Sequence, residues 1–518
     1  AGGGFTLNDF RNHSPNINYG AGQQYLIQST ATGISTSTAV ASWTTAVNVT
    51  MNYAVFKAAV QIQSSNTKTK TGSFALSLST GNQVITGLGF QPKAVIFYTT
   101  RVYTNSQSVN VQASMFGCMT GVSPQQWCNT DYNKPGNNNV ATTMVTTTNC
   151  IAEIDEFTGT IVNARFVSMD SDGFTINNIT VDGIARTVYY WAIGGSDVNP
   201  IAGVFTTTTA TGNQAITGTG FQPKAVLFSH GSMAANGVAE STQPHSIATG
   251  IALSSSNRAV ISQSSDTSGA TALTSSVLRT DRCLLRLDGA GTITEAADFV
   301  SQNSDGFTVN WVTKSTTAFI VGYLALGGNA RYALGTINSP TATGVQAVTG
   351  VGFRPEAEFI ISSGKVVNTN PTVDLSRLIA SADSILNMAS MHTVELNNDT
   401  TATNPRSQKT TARLLAYINS SDALVSGAAI QSQDGDGFTL NWGPVDAIAR
   451  QNAYLAIAPA IVADTAFTVE STQTQKTVSN LTTPDIGLVV ADRIMESTNS
   501  TGTSTVELTG AIVGFRPF

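Results

Sequence analysis

The chain has 518 residues, enough for three to five domains at roughly 100–200 residues each. Hydrophobic residues make up 41% and charged residues only 11%, so several cores can be filled while the surface falls to Thr, Ser, Asn and Gly. With 26 basic against 32 acidic groups, a net charge of −6 and no basic run, nucleic-acid binding driven by phosphate neutralisation is excluded, and no apolar run reaches the ~20 residues that insert in a membrane as a helix.

No signal-peptide pattern opens the chain, and Ala1-Gly2-Gly3-Gly4 fits either loss of an initiator Met or an earlier processing event. Residues 1–66 hold no full repeat, although Ala39–Trp43 and Tyr53–Ala59 read as closing strands of a sandwich. The next stretch carries the first of two recurring blocks. Thr80–Phe97 reads TGNQVITGLGFQPKAVIF; it returns at Thr211–Phe228 as TGNQAITGTGFQPKAVLF and at Thr343–Ile360 as TGVQAVTGVGFRPEAEFI. Phe90, Phe221 and Phe353 are therefore equivalent, 131 and 132 residues apart.

The second block closes each copy. Asp172-Gly173-Phe174-Thr175 precedes Tyr189–Gly195, Asp305–Trp311 precedes Gly322–Gly328, and Asp436–Trp442 precedes Ala453–Ile457. These aspartates are 133 and 131 residues apart, so both blocks keep one period and the whole unit is repeated. Asp-Gly is a hairpin signal, Phe-Thr-Ile alternates at period 2, and Ala-Val-Ile-Phe and Tyr-Leu-Ala-Leu are short buried-strand runs. Closely spaced turn signals without helical periodicity indicate an all-β chain of three tandem antiparallel, jelly-roll-like β-sandwich repeats. The expected organisation is an N-terminal β segment for anchoring or assembly at 1–66, repeats at 67–198, 199–330 and 331–462, and a C-terminal β segment at 463–518. The joints Gly195–Pro200 and Gly327–Asn329 are short, which favours limited motion between repeats.

Between the blocks the copies diverge, at Ser123–Gly136, Ser254–Ser276 and Asn397–Thr400, a pattern that reads as loops on a constant frame. The first of these places Trp127 and Tyr132 among amides, either to stack on a sugar or to plug a neighbouring domain or subunit; the plug is the favoured reading. Cys118 and Cys128 either close a short loop or stand as two thiols. Cys150 and Cys283 fall where the third copy has Leu414 or Leu415, so they read as small core residues. In the C-terminal segment, Thr503–Leu508 and Ala511–Phe518 read as two last strands. The two ends either complete one another or join neighbouring subunits by strand addition.

No residue pattern carries catalysis, a metal or a cofactor. Asp170-Ser171-Asp172-Gly173 and Asp434-Gly435-Asp436-Gly437 lack the further ligands of a calcium loop and read as hairpin turns. Gly87-Leu88-Gly89, Gly218-Thr219-Gly220 and Gly350-Val351-Gly352 lack the third glycine and helix of a dinucleotide site. His13, His230, His245 and His392 are scattered, and no Gly-x-Ser-x-Gly elbow occurs. The expectation is a protein that is not an enzyme.

Over about residues 70–460, the combination GFQPKAVIF, SDGFTVNW and YLALGG resembles repeats of bacteriophage and prophage virion structural proteins: tail-fibre, tail-associated or capsid decoration proteins. The resemblance implies a virion-surface protein in which rigid sandwiches in series serve as spacer, brace or display platform. It implies other virion proteins and copies of itself, as a trimer, for partners, and a host-surface glycan in the adhesin alternative. A polysaccharide depolymerase is a third, weaker reading.

Overall fold

The computed structural model describes residues 66–460, apart from 103–107, 110, 122–124, 134–141, 156–158, 240–244, 267–272, 367–369, 385 and 399–404, together with six strands outside that span. Near the N-terminus, β1 (Phe5–His13) pairs with β2 (Tyr19–Leu26). The sandwiches all belong to one compact unit, Lys57–Thr465.

The first sandwich contains β3 (Lys68–Ala75), β4 (Gly81–Thr86), β5 (Pro92–Thr100), β6 (Ser108–Val109), β7 (Gln112–Thr120), β8 (Gln126–Asn133), β9 (Thr142–Thr146), β10 (Ile151–Ile154), β11 (Thr160–Asp170), β12 (Gly173–Thr180) and β13 (Thr187–Gly194). The second contains β14 (Val198–Thr206), β15 (Gly212–Thr217), β16 (Ala225–His230), β17 (His245–Ala252), β18 (Arg258–Asp266), β19 (Leu273–Arg279), β20 (Leu284–Leu287), β21 (Ile293–Asn303), β22 (Gly306–Thr313) and β23 (Ile320–Gly328). The third contains β24 (Arg331–Asn338), β25 (Gly344–Thr349), β26 (Ala357–Ser362), β27 (Thr372–Val373), β28 (Leu375–Asp383), β29 (Met388–Glu395), β30 (Arg406–Thr410), β31 (Leu415–Ile418), β32 (Leu424–Asp434), β33 (Gly437–Trp442) and β34 (Gln451–Ala458). Towards the C-terminus, β35 (Ile486–Val489) pairs with β38 (Ile512–Phe515), and β36 (Asp492–Glu496) with β37 (Thr505–Thr509). Ala39–Trp43 and Tyr53–Ala59 lie outside the described residues.

Each sandwich has a large sheet and a four-stranded small sheet. The first runs β3-β13-β5-β7-β8-β9 over β10-β11-β12-β4. The same order returns as β14-β23-β16-β17-β18-β19 over β15-β22-β21-β20, and as β24-β34-β26-β28-β29-β30 over β25-β33-β32-β31. All of these neighbours are antiparallel.

Both recurring blocks have a geometric reason. In the small sheets, Asp172 accepts the amides of Gly87 (3.0 Å) and Gly89 (2.6 Å) across the β4–β5 turn. Asp305 does the same with Gly218 and Gly220, and Asp436 with Gly350 and Gly352. The glycines take positive φ, 87° and 79° in the first copy, which side chains disfavour. The glycine after each aspartate sits against the opposing strand; a Cβ on Gly173 would lie 1.9 Å from the Ile85 carbonyl. Gln83, Gln214 and Gln346 tie the two sheets by donating to the carbonyls of Ala75, Thr206 and Asn338.

The apolar runs are continuous rather than alternating because the large sheets are buried on both faces. Val95 and Phe97 point into the first sandwich, whereas Ala94, Ile96 and Tyr98 point out of it. That outer face does not meet solvent. It joins Leu227, Leu324 and Leu326 of the second sandwich and Phe359, Ile379 and Leu455 of the third in one shared core. Trp191 stacks on Phe359 at 5.6 Å and 8°. The sandwiches are therefore gathered around a common interior, not strung in series.

Candidate functional site: the shared axis and a groove on the first sandwich

The strands that diverge in sequence are those that meet at the centre. Pairing makes β8, β18 and β29 equivalent, so that Asn133, Ser265 and Glu395 correspond, as do Asp131, Gln263 and Thr393. Equivalent residues touch one another. Asn133 Nδ2 donates to Ser265 Oγ (2.7 Å) and to Glu395 Oε2 (2.5 Å), and Gln263 Nε2 donates to Asp131 Oδ2 (3.2 Å). Three equivalents can meet at one point only around an approximate three-fold axis.

The axis is polar and buried. Asp131 also accepts from Gln112 Nε2 (2.6 Å), the Ser114 amide (3.2 Å) and the Ser114 hydroxyl. Arg377, 1% exposed, donates to Ser114 of the first sandwich (2.6 Å) and Thr249 of the second (2.8 Å). Burial pulls its guanidinium down to about 10, against the opposing pull of Asp131. His245 has Nε2 3.8 Å from Asp131; burial lowers its pKa and outweighs the carboxylate, which keeps the ring neutral at pH 7.

Strand exchange closes the arrangement into a ring. β6 of the first sandwich pairs with β30 of the third, and β27 of the third pairs with β19 of the second. The second returns to the first through an Asn236–Val145 bridge, with the Asn236 side chain bonded to Thr147 (2.9 and 2.8 Å). Each arm covers the outer strand of its neighbour.

The expectation of loops between the blocks is corrected. Most of Ser123–Gly136 is β8, most of Ser254–Ser276 is β18 and the start of β19, and only Asn397-Asn398 is a turn among the described residues of the third stretch. Their Ser, Thr and Asn composition resembles a surface, yet these side chains are buried and several bond across the interface, as Asn129 Nδ2 does to Ser229 Oγ (2.6 Å) and Asn133 Nδ2 to Ser265 Oγ (2.7 Å). Trp127 is a plug. It lies in β8, is 1% exposed, packs against Gly322 and donates Nε1–H to the Tyr323 carbonyl at 2.8 Å. Tyr132 is buried too, with the Arg101 guanidinium over its ring.

All four cysteines are free and buried, and burial raises each thiol pKa. Cys118 faces the shared core and Cys128 the interior of the first sandwich, so they are not bridged. Cys150, Cys283 and Leu414 are equivalent, each donating its amide to a small-sheet alanine carbonyl. His230 contacts Glu295 (3.1 Å), His392 contacts Ser376 (2.9 Å), and His13 lies on β1. Burial would raise the Glu295 carboxyl, but His230, Lys314 and Ser315 around it hold it at about 2. Among the described residues no three His, Cys, Asp or Glu side chains come together as a metal site.

A groove of about 560 Å³ opens on the first sandwich, lined by Asn82, Gln126, Thr148, Arg165, Phe166 and Asn177 among others. Sequence reasoning missed it, because its residues come from β4, β8, β11, β12 and the turn before β10. No family model, curated protein or solved structure matches this chain.

Proposed function

We propose that this chain is a non-enzymatic structural protein on the exterior of a bacteriophage particle, a tail-fibre or tail-associated component or a capsid decoration protein, acting as a rigid brace or display platform. The observation that carries this is the shared core closed by strand exchange. A body held by buried hydrogen bonds and apolar packing resists dilution, as an exposed virion component must. Other virion proteins and copies of the chain are the proposed partners, with a trimer of chains as the proposed assembly. Imaging of intact particles tests this directly. Density for the three sandwiches on the particle surface is the expected result; absence of the protein from purified particles overturns it. The groove favours a second reading, a carbohydrate-binding adhesin, for which binding to a glycan array is the expected sign.

A further inference from the structure

The three sandwiches share a frame but differ at the place where the groove lies. Strand pairing makes Gln126, Arg258 and Met388 equivalent, and likewise Arg165, Asp298 and Ala429. In the second sandwich this place is filled by ion pairs. Asp298 holds Arg258 (3.3 Å) and Arg282 (2.8 Å), and Arg282 also reaches Asp281 (3.2 Å). In the third, the corresponding residues Met388 and Ala429 carry no charge.

In the first sandwich the same place is open and carries one unspent charge. Gln126 turns inward, donating to the Thr148 carbonyl (2.9 Å) and accepting the Phe166 amide (2.8 Å). Arg165 pairs with Asn177 through the backbone ladder, and its exposed side chain makes no hydrogen bond or ion pair among the described residues. Beside it Asn177 donates to Asn82 at 2.7 Å, which leaves the rest of both amides facing solvent. Partly exposed Phe166 and exposed Val167 supply an apolar wall.

We propose that this groove binds an acidic saccharide, with Arg165 pairing a uronate carboxylate, Asn82 and Asn177 meeting ring hydroxyls, and the Phe166–Val167 wall lying against the sugar ring. A guanidinium matches a planar carboxylate in a two-pronged geometry, while paired amides offer both donors and acceptors to hydroxyls. This inference rests on the adhesin reading and is independent of the structural role.

The test is calorimetric titration of the full chain with oligogalacturonate and with its methyl-esterified counterpart, which keeps the ring and removes the charge. The expected result is binding of the acid at least tenfold tighter than the ester, weakened at least tenfold by Arg165→Ala and by Asn177→Ala. The double change Gln126→Arg with Arg165→Asp, which rebuilds the ion pair of the second sandwich, should abolish binding. Circular dichroism and the melting midpoint verify that each variant is folded. Equal binding of acid and ester, or binding untouched by folded Arg165→Ala, overturns the acidic-saccharide inference and leaves the adhesin reading standing. If the acid does not bind but the intact chain captures other glycans on an array, the inference again falls alone. If the array is blank as well, both fall.

Discussion

The aspartate clasps of the small sheets and the strands along the shared axis are opposite cases in one molecule. Asp172, Asp305 and Asp436 repeat the same side chain and the same pair of glycine amides three times. Along β8, β18 and β29, by contrast, no equivalent position carries the same residue in all three copies. The clasp makes contacts inside its own sandwich, so each copy faces the same problem and keeps the same answer. The axis residues face their own equivalents. Three carboxylates in the place of Asp131 would repel and three indoles in the place of Trp127 would collide, and at those positions the copies differ.

The sharpest way to break this comparison is Trp127→Ala. It empties a fully buried indole site between the first two sandwiches and should cost about 3–5 kcal/mol, read as a lowered denaturant midpoint. An unmoved midpoint would mean that the axis strands carry little of the stability. Asp131→Ala comes next. It strips Gln112 and Gln263 of an acceptor and leaves the buried Arg377 charge without its nearby carboxylate, for an expected loss of about 3 kcal/mol in the same measurement.

Glu358 sharpens the contrast, because it is a departure inside a sandwich, where the other copies have Val95 and Val226. Burial raises its carboxyl to about 8, eased by the hydrogen bond from Gln433 (3.0 Å). The folded-state pKa lies above the unfolded one. The associated stability is therefore complete below the unfolded range near 4.5 and is lost as pH rises towards 8. Glu358→Gln should raise stability at pH 7 by roughly 2 kcal/mol and flatten the dependence between pH 5 and 8, as followed by thermal unfolding across that range. A variant with the same pH slope as the parent would rule the assignment out.

The smallest effect is expected at a clasp. Asp305→Ala removes one exposed carboxylate from two amides, so global unfolding should barely shift while hydrogen exchange at Gly218 and Gly220 speeds up. Acid should do the same at Asp436, whose carboxyl is held low by the Gly350 and Gly352 amides. That contribution is present above the unfolded carboxylate range and fades as pH falls through the folded value.

Much of the fold was legible because the clasp, the Gln tie and the two-faced apolar strands act locally and leave a repeated trace. The Gln of Thr-Gly-x-Gln and the Asp of Asp-Gly each name a hydrogen bond that every copy makes. The axis left no such trace. Asn129, Thr130 and Asp131 look like loop residues, and only their partners on other sandwiches reveal them as core. The groove was hidden for the reverse reason. It is marked by ion pairs that the second sandwich has and the first lacks, which a search for shared motifs passes over.

The joints at Gly195–Val198 and Gly328–Arg331 link sandwiches that already share a core. Association of the three lobes is therefore an intramolecular event, at an effective concentration on the order of millimolar or more for so short a tether. Three separate chains would fall apart on dilution according to mass action; these lobes cannot. Their cohesion is the same in a very dilute solution as in a concentrated stock, and melting of the described sandwiches should not depend on how much protein is in the tube.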